Sequence, residues 1–304
     1  MELTVLESRY NYAAWHVNTA YDRRTMHSTI KEFADRHDVE LYHTCGVYSR
    51  AGLPYEIIDL DYEKYRPEPP HIGLTRAHSD EVYKAVSKGN RVLVTGGYCV
   101  FAPAIAGGIQ RAIGTEHRIG VVWMDAHSDN HILETTLQPK TTLVGIPMST
   151  LVGQTAESWR KDACGLDVPL RGCDILAGDL REDNAEMIAN RNAAGVVALN
   201  ESEFPDDYKW RTAVEKLAAQ VDTIYLQVDM DILQQRYIPN YFYDTLIGGQ
   251  EMQTVQHNIQ TVMETGKVSV FSVLCGNFGK DPEGQEINQL NQMKIMGHGL
   301  GCWK

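Results

Sequence analysis

Residues 119–129 read Ile-Gly-Val-Val-Trp-Met-Asp-Ala-His-Ser-Asp, an apolar run that ends abruptly at an aspartate. A short, continuous apolar run without alternating polar positions is typical of a strand that is buried on both faces. Polar side chains directly after such a strand lie at the edge of the sheet where α/β proteins bind their ligands. This stretch therefore predicts a central strand of a parallel sheet with a functional site at its end.

Similar apolar runs alternate with helical segments through the rest of the chain. The other runs that we predict as strands are 91–95, 174–177, 195–199, 223–228 and 268–274. The segments that we predict as helices are 75–87, 102–113, 182–191, 210–220, 251–265 and 286–296. Alternation of this kind indicates a mostly parallel sheet with helices on both faces. We expect a three-layer α/β/α fold, as one domain over residues 1–304, because no repeat or linker divides the chain.

The composition is that of an acidic globular protein. Its 40 acidic and 28 basic residues give a net charge of −12, which opposes binding to nucleic acid or to an anionic membrane, because both need a basic surface. The same charge suits a cationic substrate, or it is simply an acidic, soluble surface. The 6 cysteines form no CxxC pair, and no stretch approaches about 20 apolar residues. We therefore expect a cytoplasmic, reduced protein.

Three ionisable side chains alternate after the strand at 119–124. If the chain continues in extended form, Asp125, His127 and Asp129 point to one face. Groups of this kind are costly to bury together unless a cation joins them. In a structural alternative, the aspartates cap a following helix and His127 packs as a neutral ring.

Two further polar segments follow predicted strands. Asp229 and Asp231 come directly after the strand at 223–228, and their carboxylates repel each other unless a cation or a proton intervenes. Gly96-Gly97-Tyr98-Cys99 follows the strand at 91–95, and its glycines allow a tight turn close to a ligand. The thiol of Cys99 is either a packing group or a soft metal ligand.

Together these segments supply six potential metal ligands at one edge of the predicted sheet. Six donors of this kind suit two divalent ions that share bridging carboxylates. Oxygen-rich ligand sets favour Mn²⁺, which we prefer, whereas the imidazole and the thiol also allow Zn²⁺, Fe²⁺ or Co²⁺. The predicted ligands are Cys99, Asp125, His127, Asp129, Asp229 and Asp231.

At this point the chain resembles the ureohydrolase family, which includes arginase, agmatinase, guanidinobutyrase and formimidoylglutamase. The resemblance runs from about His71 to the end and rests on three motifs of that family, Gly-Gly-Asp-His, Asp-Ala-His-x-Asp and Asp-x-Asp, in this order. The second motif matches in full at 125–129, the third matches at 229–231, and the first appears as residues 96–99 with Cys99 in place of the histidine. Gly248-Gly249 resembles a further landmark of the family.

The resemblance implies two metal ions bridged by Asp125 and Asp229. The remaining ligands would divide between the ions, as Cys99 with Asp129 and His127 with Asp231. A hydroxide held between the ions would attack a carbon flanked by nitrogens, with Asp129 orienting it. The resemblance also implies a small-molecule substrate and a homo-oligomer, as a trimer or a hexamer.

Two departures from the family affect proton transfer and substrate binding. The family's proton-shuttling histidine is replaced by Val144, and His131 is a candidate replacement unless it is an ordinary loop histidine. Cys275 aligns with the glutamate that anchors the guanidinium, so we place Cys275 among the substrate-binding residues and expect a poorer grip on plain arginine. Asp183 and Glu186 fall where arginases hold the substrate's α-amino group, although both would equally suit an exposed first helical turn.

These features predict a hydrolase that acts on a C–N bond of a linear amidine, a modified guanidine such as an N-hydroxyguanidine, or a guanidino acid. The products would be urea, or a urea-like compound, and an amine. Two alternatives remain open, a catalytically silent metal-binding or regulatory member of the fold and a zinc deacetylase-like amide hydrolase. The aromatic segment Tyr241-Phe242-Tyr243 would narrow the cleft or pack at a subunit contact.

Overall fold

The computed structural model describes residues 1–8, 10–16, 26–32, 37–60, 63–136, 143–239, 247–276 and 282–304. Side chains are described over the same ranges, apart from 10–16, 26–32, 37–40 and 282–285. The aromatic segment Tyr241-Phe242-Tyr243 lies outside the described residues, so its two interpretations remain predictions.

The strands of the described chain form one large parallel sheet and one small hairpin. Their bounds are β1 (Leu3–Ser8), β2 (Tyr10–His16), β3 (Met26–Glu32), β4 (Tyr55–Asp59), β5 (Arg91–Gly96), β6 (Ile119–Asp125), β7 (Ile175–Asp179), β8 (Val197–Asn200), β9 (Thr223–Asp229) and β10 (Val268–Leu274). Eight of these strands pair in the order β4-β1-β5-β10-β9-β6-β7-β8, and every pairing is parallel. The other two, β2 and β3, form an antiparallel hairpin.

The helices flank this sheet. Their bounds are α1 (His37–Thr44), α2 (Pro70–Ser87), α3 (Ala102–Ile113), α4 (Pro147–Leu151), α5 (Ala185–Ala194), α6 (Asp207–Gln220), α7 (Met252–Met263) and α8 (Pro282–Cys302). One group consists of α2 packed on α3, and another runs from α6 through α7 to α8. The predicted three-layer α/β/α fold is confirmed, whereas the single-domain assignment over 1–304 remains a prediction.

Close packing explains the small residues of α3. A Cβ atom on Gly107 would lie 1.9 Å from the carbonyl oxygen of Cys164, and one on Gly108 would lie 2.6 Å from that of Ser79. The helix is buried along the whole of 102–110. Because any side chain at these positions would collide with backbone, α3 can approach α2 and the 159–165 segment this closely only with glycine at both.

The strand order decides where polar side chains gather. The strands β5, β10, β9 and β6 are consecutive neighbours at the middle of the sheet. Since they are parallel, their carboxyl ends lie at one edge, and the pairing of Leu274 with Asp229 and of Met124 with Val228 keeps those ends level. The segments that follow these four strands therefore meet.

Candidate metal centre

Four neighbouring strands each place a buried, potentially ligating side chain at the same edge of the sheet. Asp125 and Asp229 are the last residues of β6 and β9, Cys275 follows β10 directly, and Cys99 begins a short 3₁₀ turn after β5. These four residues are at most 4% exposed. Charged and thiol groups so deep in a protein need partners, either within the chain or as bound cations.

The first cluster consists of Asp125, His127 and Asp231, whose potential ligand atoms all lie within 4.8 Å of one another. Nδ1 of His127 lies 3.0 Å from a carboxylate oxygen of Asp231 and 3.5 Å from one of Asp125. Burial alone would lower the pKa of His127, but hydrogen bonds to Asp125 and Asp231 outweigh burial and raise it. An imidazole and two carboxylates form a mixed nitrogen and oxygen ligand set.

The second cluster consists of Cys99, Asp229 and Cys275, whose ligand atoms also lie within 4.8 Å of one another. The backbone N–H of Cys99 donates to Sγ of Cys275 at 3.4 Å. All three residues are buried. Cys99 thus lies at the edge of the sheet where the sequence predicts a ligand, and it is also part of the buried core, so both interpretations of its thiol remain predictions.

The electrostatics of both clusters favour a cation. Burial, followed by the charge of Asp231, raises the pKa of Asp125 well above the usual range of a carboxyl. Burial and the charges of Asp231 and Asp125 raise the pKa of Asp229 in the same way. Burial raises the pKa of Asp129 to about 7. A divalent ion would restore the ionised carboxylates, so the donor set fits the two ions that the sequence predicts.

The backbone of the two aspartate motifs differs from the extended form predicted from the sequence. The strand β6 ends at Asp125, and Asp129 adopts a left-handed φ of +46°. After β9 the chain enters a 3₁₀ turn, in which the N–H of Asp231 donates to a carboxylate oxygen of Asp229 at 3.0 Å. The turns still bring Asp125, His127 and Asp231 together, and leave Asp129 outside that cluster. Strain of this kind, about 1–3 kcal/mol at a residue like Asp129, is common at functional sites.

The capping alternative for 125–129 finds no support in the described residues, because 126–136 contain no helix and α4 begins without a side-chain cap hydrogen bond. His127 is more than a packing ring, since its Nδ1 lies 3.0 Å from a carboxylate oxygen of Asp231 and 3.5 Å from one of Asp125. Asp129 lies outside both clusters but shares a hydrogen bond with the thiol of Cys99. Its carbonyl oxygen accepts from the N–H of Met148 at 3.0 Å, which ties the motif to the start of α4.

His131, two residues beyond Asp129, forms a pair with Glu186. Nδ1 of His131 lies 3.3 Å from Oε1 of Glu186, whose other oxygen accepts from Oγ1 of Thr136 at 3.3 Å. The N–H of His131 donates to the carbonyl of Gly145 at 2.9 Å, next to Val144. His131 therefore lies against the segment that contains Val144. By the ureohydrolase resemblance, Val144 occupies the position of the family's proton-shuttling histidine.

Asp183 is a structural anchor in this conformation. Its side chain is only 2% exposed, so the interpretation as an exposed first helical turn is wrong for this residue. One carboxylate oxygen accepts from the N–H of Ser128 at 2.9 Å, and the other pairs with Nη1 of Arg191 at 2.9 Å. The helix α5 begins only at Ala185 and is capped by Asn184.

One supporting residue, Arg181, was missed from the sequence. Its Nη2 donates to the main-chain oxygen of Asp231 at 2.6 Å and its Nε donates to the carbonyl of Ile247 at 3.1 Å. The same guanidinium pairs with buried Asp179, which also accepts from Nε2 of Gln250 at 2.7 Å. The sequence does carry one signal for this role, because Arg181 is a lone arginine just after a strand end in an otherwise acidic region.

A parallel sheet between helices, with two clusters of potential metal ligands at the ends of its central strands, defines an α/β protein with a candidate metal centre. The family model described as the arginase family matches residues 22–273. An arginase of Emericella nidulans is 34% identical over 252 residues, which cover 79% of this chain and 74% of that protein. An arginase of Brucella melitensis is 24% identical over 223 residues, covering 71% and 70%. The chain belongs to the arginase family, a family of hydrolases.

Solved structures agree on the fold. The chain is similar to an arginase from Bacillus cereus with a TM-score of 0.75, at 16% identity, over 99% of this chain and 98% of that one. It is also similar to a formimidoylglutamase from Bacillus subtilis with a TM-score of 0.68, at 13% identity, over 99% and 87%. Within the described residues, no helix is both long and apolar enough to cross a membrane.

Proposed function

We propose that this protein uses two divalent metal ions to hydrolyse a C–N bond in a small linear amidine or modified guanidine. The observation that carries the proposal is the pair of adjacent ligand clusters at the carboxyl ends of four neighbouring strands. Membership of the arginase family, whose proteins depend on two metal ions, commonly manganese, supports the same conclusion. The products would be an amine and urea, or a urea-like compound.

The chain's own residues divide into ligands and proton carriers. Asp125, of the first cluster, and Asp229, of the second, would each bind both ions. The other ligands would be Cys99 and Asp129 on one side and His127 and Asp231 on the other. Two bound divalent ions supply a water whose pKa is lowered toward neutrality, which makes it a nucleophile at physiological pH.

His131 and Glu186 would handle the proton that the departing amine needs. An imidazole paired with a carboxylate is held in one orientation and keeps the correct nitrogen available, and such a pair is typical of general acid–base catalysis. The 3.3 Å distance between Nδ1 of His131 and Glu186 supports this role. In our proposal Glu186 therefore orients His131, in addition to its predicted role in substrate binding.

The substrate differs from plain arginine because one of the usual anchoring carboxylates is missing and another is already paired within the protein. A thiol, Cys275, stands where the family's guanidinium-binding glutamate is expected, so the carboxylate that would pair with a guanidinium is missing. Asp183 is occupied by Ser128 and Arg191, so its carboxylate offers little to an α-amino group. A less basic, modified guanidine such as an N-hydroxyguanidine fits these residues better.

A catalytically silent metal-binding member of the family is the second candidate. The observation that favours it is Val144, which cannot carry a proton, at the position of the shuttling histidine. The arrangement of His131 beside this segment favours the enzyme instead, because a replacement base stands close by. The expected homo-oligomer and the cytoplasmic location remain predictions.

The test is a substrate screen on metal-loaded protein. The protein is purified without chelators, loaded with Mn²⁺, Zn²⁺ or Co²⁺, and assayed for urea and amine release from arginine, N-hydroxyarginine, agmatine and guanidino acids. We expect turnover of a modified guanidine that exceeds turnover of arginine, and loss of this turnover in Asp229→Asn. Protein that binds two ions but hydrolyses no compound in the panel would support the silent alternative.

A further inference from the structure

Two thiols from opposite parts of the sequence meet at the metal-ligand edge. Cys99 follows β5 and Cys275 follows β10, and these strands are neighbours in the sheet. The N–H of Cys99 donates to Sγ of Cys275 at 3.4 Å, and the thiol of Cys275 shares hydrogen bonds with the side chains of both Cys99 and Asp229. Sγ of Cys275 therefore points at ligands of one proposed ion.

The backbone at Cys275 is held in a conformation that turns the thiol toward this edge. Its φ is +56°, in the left-handed region that a residue with a Cβ atom rarely adopts, and its N–H donates to the carbonyl of Gly97 at 2.9 Å. Behind the turn, a Cβ atom on Gly276 would lie 2.0 Å from Oε1 of Gln292. Such strain persists only where the surroundings impose it, and it often accompanies function.

The buried side chain of Gln292 holds the turn at Cys275 and Gly276 in place. Its Nε2 donates to the carbonyl of Val273 at 2.9 Å, and its Oε1 accepts from the hydroxyl of Tyr42 at 2.5 Å. Gln292 is fully buried, so these bonds are shielded from water. The turn after β10 is thus supported on its far side, and Cys275 remains directed at Cys99 and Asp229.

We propose that Cys275 is a second thiolate ligand of the metal ion that Cys99 and Asp229 bind, rather than a substrate-binding residue. Ligands on one tetrahedral zinc ion at about 2.3 Å lie about 3.8 Å apart. The three ligand atoms of this cluster lie within 4.8 Å of one another, so only small movements would close them on an ion. Cys275 is 3% exposed, which leaves it little surface for a substrate.

The two clusters then differ in the metals that they prefer. Two thiolates beside carboxylates favour zinc, cobalt or ferrous iron over manganese, because soft sulfur ligands bind these ions better. The cluster of Asp125, His127 and Asp231 has no sulfur and accepts harder ions. The site would therefore hold a soft divalent ion on the thiol side. This inference refines the proposed function and rests on it in one respect only, that metal binds at this edge of the sheet.

Cobalt titration of the full-length protein tests the ligand assignment, because thiolate ligands of Co²⁺ give a charge-transfer absorption in the near ultraviolet. We expect this absorption in the wild type, about half of it in Cys275→Ser and in Cys99→Ser, and none in the double variant. The control is Cys164→Ser, a buried thiol outside both clusters, which should keep the full absorption. Full absorption in Cys275→Ser, with none in Cys99→Ser, would overturn the proposal.

A measurement on unmodified protein covers the case in which Cys275→Ser does not fold. X-ray absorption at the zinc edge, with two zinc ions bound, should show on average about one sulfur ligand per ion at about 2.3 Å. An average of about half a sulfur per ion means that Cys99 binds alone and contradicts the proposal. Circular dichroism of each variant identifies any loss of fold.

The outcomes separate this inference from the proposed function. Two bound ions and hydrolysis of a guanidino compound, with Cys275→Ser unchanged in cobalt absorption, would overturn only the ligand assignment. Absorption from two thiolates without hydrolysis of any compound would support the assignment and contradict only the proposed function. Protein that binds no cobalt at all would contradict both.

Discussion

Nδ1 of His131 lies 3.3 Å from Oε1 of Glu186, although one follows β6 and the other lies in the first turn of α5. The side chains are 14% and 28% exposed, so the pair is partly shielded and still reachable from solvent. In a metal-dependent hydrolase, a histidine in this setting can return a proton to the leaving amine. The proposed catalytic role of His131 depends on this contact.

Replacing His131 with Asn should lower kcat about 100-fold or more, because general acid–base catalysis contributes roughly 10²–10⁴-fold. Glu186→Gln should lower kcat less, since it removes only the orienting partner. The double variant should be no worse than His131→Asn alone, as expected for residues that act as one unit. Steady-state kinetics and metal content are measured together.

The matched control for this pair is Glu182→Gln, an exposed carboxylate close by in sequence, which should leave kcat and metal content unchanged. Additive losses in the double variant would show that His131 and Glu186 act independently. Loss of bound metal in either single variant would mean that the pair supports the site rather than the proton transfer.

Cys99→His restores the ligand that the family usually carries at this position. We expect this variant to lower the preference for zinc over manganese by about tenfold or more, because an imidazole is a harder ligand than a thiolate. Competition between the two ions, followed by elemental analysis, measures the preference. An unchanged preference would make Cys99 a packing residue.

Arg181→Met should destabilise the protein by about 3 kcal/mol, because it leaves the carboxylate of Asp179 buried without its cation. The side chains of this pair are 4% and 0% exposed, so solvent cannot replace the lost contact. Urea denaturation gives the free energy of unfolding, and metal content reports on the turn at Asp231. Arg211→Met, at a 42% exposed side chain, is the control and should change stability by less than about 0.5 kcal/mol.

His78 predicts an acid-sensitive part of the stability. Burial lowers the pKa of His78 to about 4, and its ring stacks on Phe101 with centroids 3.8 Å apart. A histidine with a depressed pKa stabilises the fold above the pKa of about 6.5 that it has when unfolded, and this contribution is lost as the pH falls from about 6.5 to 4. The loss from this residue should be about 2 kcal/mol between pH 8 and pH 5.

Urea denaturation at several pH values tests this contribution, with His78→Gln as the comparison. The variant lacks the titrating group, so its free energy of unfolding should fall by about 2 kcal/mol less than that of the wild type over the same range. Equal pH dependence in the two proteins would show that His78 does not carry this effect.

Much of the fold was predictable because the buried strands are nearly uninterrupted apolar runs. The segments 268–274 and 102–113 coincide with β10 and α3. By contrast, β1 was not predicted, because it contains polar Thr4, Glu7 and Ser8, all of which are buried. Glu7 tolerates burial because its Oε1 accepts from the hydroxyl of Tyr48 at 2.6 Å and lies 2.6 Å from Nε2 of His43. Such tertiary partners leave no local signal in the sequence.

The site was predictable in its location but not in its detail. Parallel strands that end in polar residues bring those residues to one edge, whichever turns follow them. The left-handed backbone at Asp129 and the contact of Cys99 with Cys275 depend on how separate turns pack, which spacing along the chain does not encode. The role of Arg181 likewise depends on main-chain oxygens that the fold brings near it.

Asp229→Asn should remove bound metal and hydrolytic activity together, because a neutral amide is a much weaker ligand for divalent ions than a carboxylate. Asp125→Asn should behave in the same way. Asp167→Asn is the matched control, because Asp167 is exposed and lies outside both clusters. Full metal content in Asp229→Asn or Asp125→Asn would contradict the bridging role of that aspartate.

The most direct test of the central claim is the metal content of the protein, measured by elemental analysis after purification without chelators. The two ligand clusters predict close to two equivalents of divalent metal per chain, roughly one for each cluster. A single zinc per chain would mean that only one cluster binds metal and would contradict the dinuclear site. Protein that remains free of metal even after loading with Mn²⁺, Zn²⁺ and Co²⁺ would contradict the proposed hydrolase altogether.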